Sequence, residues 1–567
     1  MKRVCLFLLG CLFLLKNVVA FDIERPSIDV NAIYKKEFKY EPKSKETYLT
    51  LKISHSVVKN YWRVLLNDVN LGWLKEGSGT TELVVPRAIL NEAKQNLMIE
   101  RHESGDKKCK LYLVELNTGL QGELSSLAKV ELMAENENEK TALPTRFTIT
   151  NTKKQKSHFV FLDGADRVMR HGVIYTHGKP TTLLLKPGKY HLYSSRGMEW
   201  SVDETIIEAK KGSTAKWKAK LKKELDLGQH YSADTHIHTF SFSRHGNAAI
   251  EERELTFMGE DLDIAIMTDH NHNTTVKPHI HHHTTLAIDG NEVTTPIGHI
   301  NIFPVDLNKP IVDKKLKTWD LLQEGIDSHG AEFSILNHPR WPKLRGLPHG
   351  PFDKFGFNKE TASFKAGVTF PFDAMEVVNS HTRNSDKDPQ PLVVFEDWLA
   401  MRNVGYETLA VGSSDSHTVE GPMGQGRTYL RIEGELTEDR VVNAFKKGQM
   451  VVSLGLFCDL KVDEQYRVGD VVPFEKGKKR QLSITTKAPS WVTAKTCYLY
   501  ENGKVIHSWK LDATNGQPLD HEFKFDYTPK KEGDYLVALL IGDQIDHVYW
   551  HAPFESSIGF TNPILFK

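Results

Sequence analysis

Cysteine is scarce, at five in 567 residues. Cys5 and Cys11 lie in an N-terminal apolar stretch, which leaves Cys109, Cys458 and Cys497. Three widely spaced thiols form no zinc-knuckle pattern and leave at least one unpaired, so any metal must be held by nitrogen and oxygen. A charge excess is missing as well: 73 Lys and Arg balance 73 Asp and Glu, for a net charge of zero. No global field exists to attract nucleic acid or an anionic membrane, and no basic run supplies a local one; nucleic acid is not expected as a partner. Repeats and low-complexity segments are absent. Past the first twenty residues no apolar run approaches the length of a membrane-spanning helix, so no integral membrane segment is expected in the mature chain. What the sequence has in excess is histidine: 26 residues, many of them between His230 and His417.

The first twenty residues carry Lys2-Arg3, an apolar run from Val4 to Leu15, and Val18-Val-Ala20 ahead of Phe21. A basic start, a short apolar core and a small residue at the cut are the grammar of a secretory signal. The expected mature chain is exported, to the periplasm or the extracellular space. Leu8-Leu-Gly-Cys11 faintly resembles a lipoprotein box, but the apolar core runs on past it, and lipid anchoring is not expected.

A chain this long needs several cores. Residues 21–132 alternate in short pieces, such as Tyr48-Leu-Thr-Leu-Lys-Ile-Ser and Lys110-Leu-Tyr-Leu-Val-Glu, and short strands between turn signals predict a β-sandwich. Trp62 and Trp73 would be either packing residues or a carbohydrate platform. Residues 133–225 form a second β-rich unit, similar to the small transthyretin-like or carboxypeptidase-regulatory sandwiches, with a Pro187-Gly188 turn between two strands. Residues 457–567 return to short strands, with Glu501-Asn-Gly503 as a hairpin signal, and predict a C-terminal sandwich.

Between them, residues 226–456 alternate strands and helices. Helices are expected over 248–260, 314–329, 391–403 and 437–448, the last with Thr437 as N-cap and Gly448 as C-cap. In this segment short apolar strands run into ligand-type side chains: Asp234-Thr-His236-Ile-His238, Thr268-Asp-His270-Asn271, Gly290-Asn-Glu292, Gly298-His299, Asn337-His338-Pro and Ser414-Asp415-Ser-His417. Imidazoles at i and i+2 of a strand point to one side, close enough to share one metal ion or bridge two. Ligands at the ends of successive parallel strands predict a barrel whose loops meet at one mouth. The bland reading is a set of ordinary core and surface histidines.

These motifs, in this order, resemble the PHP (polymerase and histidinol phosphatase) metallohydrolases, and within them the carbaryl-hydrolase-like (CehA/McbA) branch. The resemblance implies a distorted (β/α)7 barrel flanked by the β-sandwich domains, with two or three divalent ions. His236, His238, Glu292 and Asp415 match the first metal's positions, with Glu292 placed to bridge; His270, His299, His338 and His417 match the remaining ligands. Imidazole and carboxylate suit zinc, manganese or iron. One departure stands out: Ser243-Arg-His245-Gly-Asn247 replaces a Ser-Asp-Gly turn, so His245 is a ligand without negative charge, and a third ion would be held more weakly. Glu252 and Glu376 would be either supporting acids or helix-surface residues.

The expected activity is metal-dependent hydrolysis of a small-molecule phosphoester, or a carboxylic or carbamic ester, with hydroxide held between cations as nucleophile. Arg340 is expected to contact an anionic substrate group, and Asn271 and His272 to orient substrate or leaving group; Arg340 could equally be a structural ion-pair partner. His279 and His281-His-His283 read as a solvated loop cluster. Trp341 and Phe352 fall in a long loop expected to lid the pocket. The alternatives are an exported glycan- or partner-binding protein around a vestigial barrel, and a glycan-processing enzyme whose sandwiches bind polysaccharide.

Overall fold

A computed structural model describes residues 18–22, 28–30, 33–40, 48–58, 62–74, 77–86, 89–91, 93–101, 109–117, 127–157, 160–161, 167–170, 172–281, 284–341, 348–381, 391–512, 516–552 and 554–567. Most of the expected leader lies outside these, and so do His282 and His283. Among the described residues no helix is long and apolar enough to cross a membrane. The described residues are mostly β, with few helices and seven sheets.

The first two units are each a pair of facing sheets. In the first, strands including Tyr48–Val58 and Cys109–Asn117 face a second sheet of Ile33–Lys39, Lys94–Arg101, Trp62–Leu66 and Val69–Trp73. Leu49, Leu51, Ile53, Trp62, Ile99 and Val114 fill the space between them. In the second, Ala128–Asn136 and its neighbours face Thr145–Asn151 and Gly188–Ser195 across Phe147, Leu183 and Leu192. The strands on either side of Pro187-Gly188 join different sheets, so this turn is a crossover between layers.

The central unit begins with β1 (His230–Ile237), then α1 (Ile250–Gly259), β2 (Ile264–Met267) and β3 (Leu286–Asp289); β1, β2 and β3 pair in parallel. A single residue, Gly290, separates β3 from β4 (Asn291–Thr295), which forms an antiparallel hairpin with β5 (Gly298–Phe303). Next come α2 (Trp319–His329), β6 (Phe333–Leu336), β7 (Ala374–Asn379), α3 (Pro391–Asn403), β8 (Leu409–Ser413), β9 (Gly426–Arg431), α4 (Glu438–Lys446) and β10 (Met450–Leu454).

These strands form two sheets, one of them a half-barrel, and the expected distorted (β/α)7 barrel is not seen among the described residues. One runs β4-β5-β6-β7-β8, with β6, β7 and β8 parallel. The other runs β3-β2-β1-β9-β10 and continues through Ile558–Thr561 and Tyr535–Gly542 into the C-terminal unit, giving eleven strands. The physical reason lies in the connections. A helical crossover is what returns the chain parallel, and no such crossover separates β3 from β4, β4 from β5 or β8 from β9. The sheets still meet at one end, through isolated bridges Ile237↔Ser416 and His270↔Glu292.

Helix ends follow local chemistry. α2 starts at Trp319 rather than at 314 because the Thr318 hydroxyl accepts from Leu321 N–H, and it stops at Gly330, whose φ of 85° ends the spiral. α3 spans the expected residues and buries Val394, Phe395, Trp398 and Leu399. Thr437 occupies the N-cap of α4 without making a side-chain cap bond. Phe352 is fully buried beside Phe364 and Trp319's cluster, which corrects its expected place in a lid. Cys109, Cys458 and Cys497 are buried and free.

Helix α1 is where three units meet. Arg170 from the second unit forms a bidentate pair with Glu252 of α1 (3.0 and 2.6 Å) and donates to the Asn247 carbonyl. Asn70 of the first unit donates to the same carboxylate (3.2 Å), and the Arg170 guanidinium stacks over Trp73. Trp62 has no exposed surface, so both tryptophans are packing residues. Burial alone would raise the Glu252 carboxyl, but Arg170 outweighs it and holds the pKa below the usual range. Glu252→Gln therefore leaves a buried guanidinium half-paired and should destabilise the chain by about 3–5 kcal/mol. Because the folded pKa is depressed, this stabilisation is complete above about pH 4.3 and disappears as pH falls through the folded value. Thermal unfolding across pH should show a Tm gap between wild type and variant at neutral pH that closes in acid.

Candidate metal centre

Apart from His245, which lies in a loop after a short helix, the candidate ligands cluster where the strand ends of the two sheets meet. His236 and His238, at the end of β1, are both fully buried, with ring centroids 4.9 Å apart. The segment is pinned by two further carboxylates. Asp234 accepts from the backbone N–H of His236 (3.1 Å), Ser414 (3.1 Å) and Gly424 (2.8 Å). Asp269 accepts from Thr239 N–H and hydroxyl, each at 2.7 Å. Buried Arg253 of α1 donates to the carbonyls of His238 and Ser416 (2.8 Å for the latter), tying β1 to the segment after β8. Asn271, His338 and Asp415 adopt positive φ values of 52°, 28° and 53°. Three strands thus end in a left-handed residue that turns the chain sharply, a conformation non-glycine residues rarely adopt.

Two carboxylates form the centre. Glu292 lies at 3.3 Å from His236 Nε2, 3.0 Å from His299 Nδ1, and 3.7 Å from both His238 Nε2 and His338 Nε2, and it pairs with His270. Asp415 lies 3.3 Å from His236 Nε2, 3.2 Å from His238 Nε2 and 3.3 Å from His417 Nδ1. His245, on the rim, reaches His270 (Nδ1 to Nε2, 3.2 Å) and packs its ring 4.3 Å from that of His417. All nine expected ligands are therefore brought together. Gly246 is what lets the His245 loop seat itself: its φ is 86°, and a Cβ there would stand 2.0 Å from the His417 carbonyl oxygen.

Charge and burial set the protonation states. Burial would raise the Glu292 and Asp415 carboxyls, but the surrounding imidazoles, His270 and His236 foremost, hold both well below the usual range. For His236 burial works downward, and Asp415, Glu376 and Glu292 outweigh it to hold the imidazole well above its ordinary value. Burial and neighbouring imidazoles push His238 and His417 well below theirs, and burial lowers His338. Neutral imidazoles with a free lone pair are what a metal ligand requires.

The donor set fits divalent metal. Nε2 of His236, His238 and His417 and Oε2 of Glu292 are buried without a hydrogen-bond partner, an arrangement that costs free energy unless something else satisfies them. Ligands about 2.1 Å from a tetrahedral ion stand about 3.4 Å apart, and the His236 and His238 distances to Asp415 and Glu292 bracket that value. Three-donor groups within 4.8 Å include His236-His238-Asp415, His236-Glu292-His338, His270-Glu292-His299 and His238-His270-His417. The orienting partners are present too: Glu376 accepts from His236 Nδ1 (2.9 Å) and from His338 N–H (2.6 Å), Thr294 Oγ1 meets His270 Nδ1 (2.7 Å), and Asn337 donates to Glu292 (3.0 Å).

Arg340, Asn271 and His272, the three residues expected to contact substrate, each have protein partners. Arg340 is held by Asp397 and, at 2.8 Å, by Asp353; these two carboxylates are the partners that its alternative role as a structural ion-pair residue calls for. Asn271 exchanges side-chain bonds with the Thr294 backbone (3.4 and 3.1 Å), bracing β4 instead of facing a substrate. His272 lies against the exposed Phe242 ring (centroids 4.2 Å, 17° between planes). Trp341 packs on His338 at 4.1 Å. His281 is exposed and His279 half-buried. One residue outside the expected set joins the site, His381, whose group with Asp415 and His417 also falls within 4.8 Å. Its signal was the same strand-end grammar, since it follows β7 by two residues.

No protein-family model and no curated protein matches the chain. Among solved structures, a two-domain protein from Bacteroides vulgatus containing a predicted PHP-like metal-dependent phosphoesterase aligns with 60% of this chain and 97% of its own, at 13% identity and a TM-score of 0.30. An FMN-binding β-glucuronidase from Facaelibacterium prausnitzii aligns with 94% of this chain and 91% of its own, at 9% identity and a TM-score of 0.19. A family 2 glycosyl hydrolase from Bacteroides cellulosilyticus covers 94% and 88%, at 9% identity and a TM-score of 0.19. Superpositions this loose leave the site's chemistry to be argued from its own geometry.

Gly246→Ala should push the His245 loop off His417 and weaken metal uptake by about tenfold or more, the scale of lost outer-shell support. Calorimetric metal titration of a variant with unchanged circular dichroism checks this; unchanged affinity would show that the loop does not belong to the site.

Proposed function

We propose that the chain is an exported, divalent-metal-dependent hydrolase of the PHP type, close to its carbaryl-hydrolase-like branch, acting on a phosphoester or a carboxylic or carbamic ester of a small molecule. The observation that carries this reading is the set of buried, unbonded nitrogen and oxygen lone pairs converging around Glu292 and Asp415. Export rests on the N-terminal leader of the sequence.

His236, His238, Asp415 and Glu292 would hold one ion, and Glu292, His270, His299 and His338 another; when bound, such ions supply an activated water and polarise the substrate oxygen. The chain's own residues do the rest. Glu292, lodged between the two groups, keeps both at a fixed separation. Glu376 accepts from His236 Nδ1 and so keeps the lone pair of Nε2 pointed inward. Half-exposed His299 stands at the mouth with its Nδ1 held by Glu292 at 3.0 Å, which fixes the direction of its other nitrogen. The Phe242–His272 stack and Trp341 offer apolar faces beside the imidazoles, walls suited to the body of a small organic ester. A decayed scaffold that only binds partners is the weaker reading, because decay would be expected to remove several donors.

The test is elemental analysis of the mature protein beside a His236→Ala/His238→Ala variant, with hydrolysis of p-nitrophenyl phosphate, bis-p-nitrophenyl phosphate and 1-naphthyl esters and carbamates. Two or more equivalents of metal, lost in the variant together with one of these activities, is the expected result. Protein that stays metal-free and inactive after loading with zinc, manganese and iron would sink the proposal. Arg340→Ala should lower stability while changing KM for anionic and neutral substrates alike; a selective rise for the anionic ones would restore Arg340 as a clamp.

A further inference from the structure

Two of the three cysteines beyond the N-terminal apolar stretch face one core. Cys458 lies on the strand Phe457–Val462, which belongs to a four-stranded sheet, and pairs there with Thr486. Cys497 lies on Ala494–Glu501 in the eleven-stranded sheet and pairs with Leu540. Both have no exposed surface and share a hydrophobic cluster with Leu460, Ile484, Leu499 and Leu540. Faced sheets normally stand about 10 Å apart, too far for a disulfide, whose Cα atoms approach to about 4.4–6.8 Å. Two glycines bring these sheets closer. Leu540 pairs with Gly559 as well, so Cys497, Leu540 and Gly559 form one row across the sheet. A Cβ on Gly559 would stand 2.4 Å from the Leu456 carbonyl oxygen and 3.2 Å from Phe457 N. One on Gly542 would stand 3.1 Å from Leu456 Cδ1. Only bare backbone admits the start of the Cys458 strand at that depth. The Cys497 thiol thereby comes within hydrogen-bonding reach of the Cys458 thiol. Cys109 lies in the separate core of the first unit, where burial pushes its thiol up to about 12.

We infer that Cys458 and Cys497 are a cross-linking site, closed into a disulfide between the two sheets when the chain folds in an oxidising compartment. The inference rests on the export reading, since disulfides persist outside the reducing cytosol, and is independent of the metal centre. The oxidant is a small-molecule or protein disulfide. The thiolate of one cysteine attacks a sulfur of that disulfide and releases its other sulfur as a thiolate. The thiolate of the second cysteine then displaces the first sulfur. One S–S bond forms and one breaks, the chain gives up two electrons, and the two thiol protons pass to the departing thiolates. Burial sets the timing. In the folded chain neither cysteine is exposed, and the neighbouring Cys497 together with burial holds the Cys458 thiol well above its ordinary range. Almost no thiolate is then left to react. The bond is therefore made while the sheets are still apart, and it acts as a staple rather than a reversible switch. It secures the sheet that contains β1 near its far end, since the Cys497 strand joins β10 through Tyr535–Gly542 and Ile558–Thr561.

The experiment refolds the reduced mature chain from denaturant, either in mixed oxidised and reduced glutathione or in reductant alone, beside a Cys458→Ala/Cys497→Ala variant. Free thiols are then alkylated in denaturant and the digest is read by mass spectrometry. The expected result in glutathione is a linked peptide pair holding Cys458 and Cys497, with Cys109 alkylated. Linked wild type should unfold about 5 °C or more above the reduced form, and the double variant should show one Tm in both buffers. Folded, reduced protein given the same glutathione mixture should keep both cysteines free over the same period. Cys458 and Cys497 both alkylated after refolding in glutathione, or Cys109 linked to either, would overturn the inference. An equal Tm rise in the double variant would trace the gain to the buffer and overturn it too. Cell fractionation decides export separately, so a failed cross-link and a failed export reading are told apart.

Discussion

Two carboxylates buried among imidazoles are the constraint on which the molecule turns. Glu292 and Asp415 have essentially no exposed surface, and a buried, uncompensated carboxylate would cost several kcal/mol. Compensation must come from positive charge placed within a few ångströms. Asp415, Glu376 and Glu292 raise the His236 imidazole, while burial and neighbouring imidazoles lower His238 and His417. The neutral ones cannot repay burial by hydrogen bonding, because several of their nitrogens meet no donor or acceptor. A divalent ion repays all of these costs at once, since it neutralises the carboxylates and accepts the lone pairs.

Such a cluster survives only if its members cannot relax away from it. The ends of β1, β2, β6 and β8 are therefore fixed by groups that are not themselves donors to the centre. Asp234 gathers three backbone N–H groups from β1 and the segment after β8, Asp269 holds the turn after His238, and Arg253 spans both strand ends through carbonyls. Left-handed Asn271, His338 and Asp415 turn the chain just past three of these ends. The strain is affordable where surrounding bonds over-determine the backbone, and here they do.

The donors were legible in the sequence because spacing within one strand carries its own geometry: His236 and His238 must share a face. Sheet closure was not legible, since an apolar run specifies a strand but not its direction. The one-residue link at Gly290 and the antiparallel β9 and β10 replaced the expected parallel crossovers. The ion pairing of Arg340 was hidden for a related reason. Its neutralising partners lie 13 and 57 residues away, and a loop arginine gives no local sign of them. His381 shows the opposite error: its position after β7 followed the same rule as the other ligands, yet without a neighbouring ligand motif it did not stand out.

Helix α1 joins this centre to the flanking β units. Glu252 and Arg253 are adjacent on it, yet Glu252 is bound by Arg170 and Asn70 from outside the central unit while Arg253 grips the backbone of His238 and Ser416. Arg170 also reaches the carbonyl of Asn247, one residue beyond Gly246 and two beyond His245. A force on either flanking unit is therefore transmitted within a few bonds to the segment that carries a candidate ligand. Surface-tethered accessory domains make no such contacts; an inter-domain contact built from a buried bidentate pair, a stacked tryptophan and a shared backbone carbonyl fixes relative position rather than permitting it. The second β unit is thus tied, through Arg170, to the segment that carries His245.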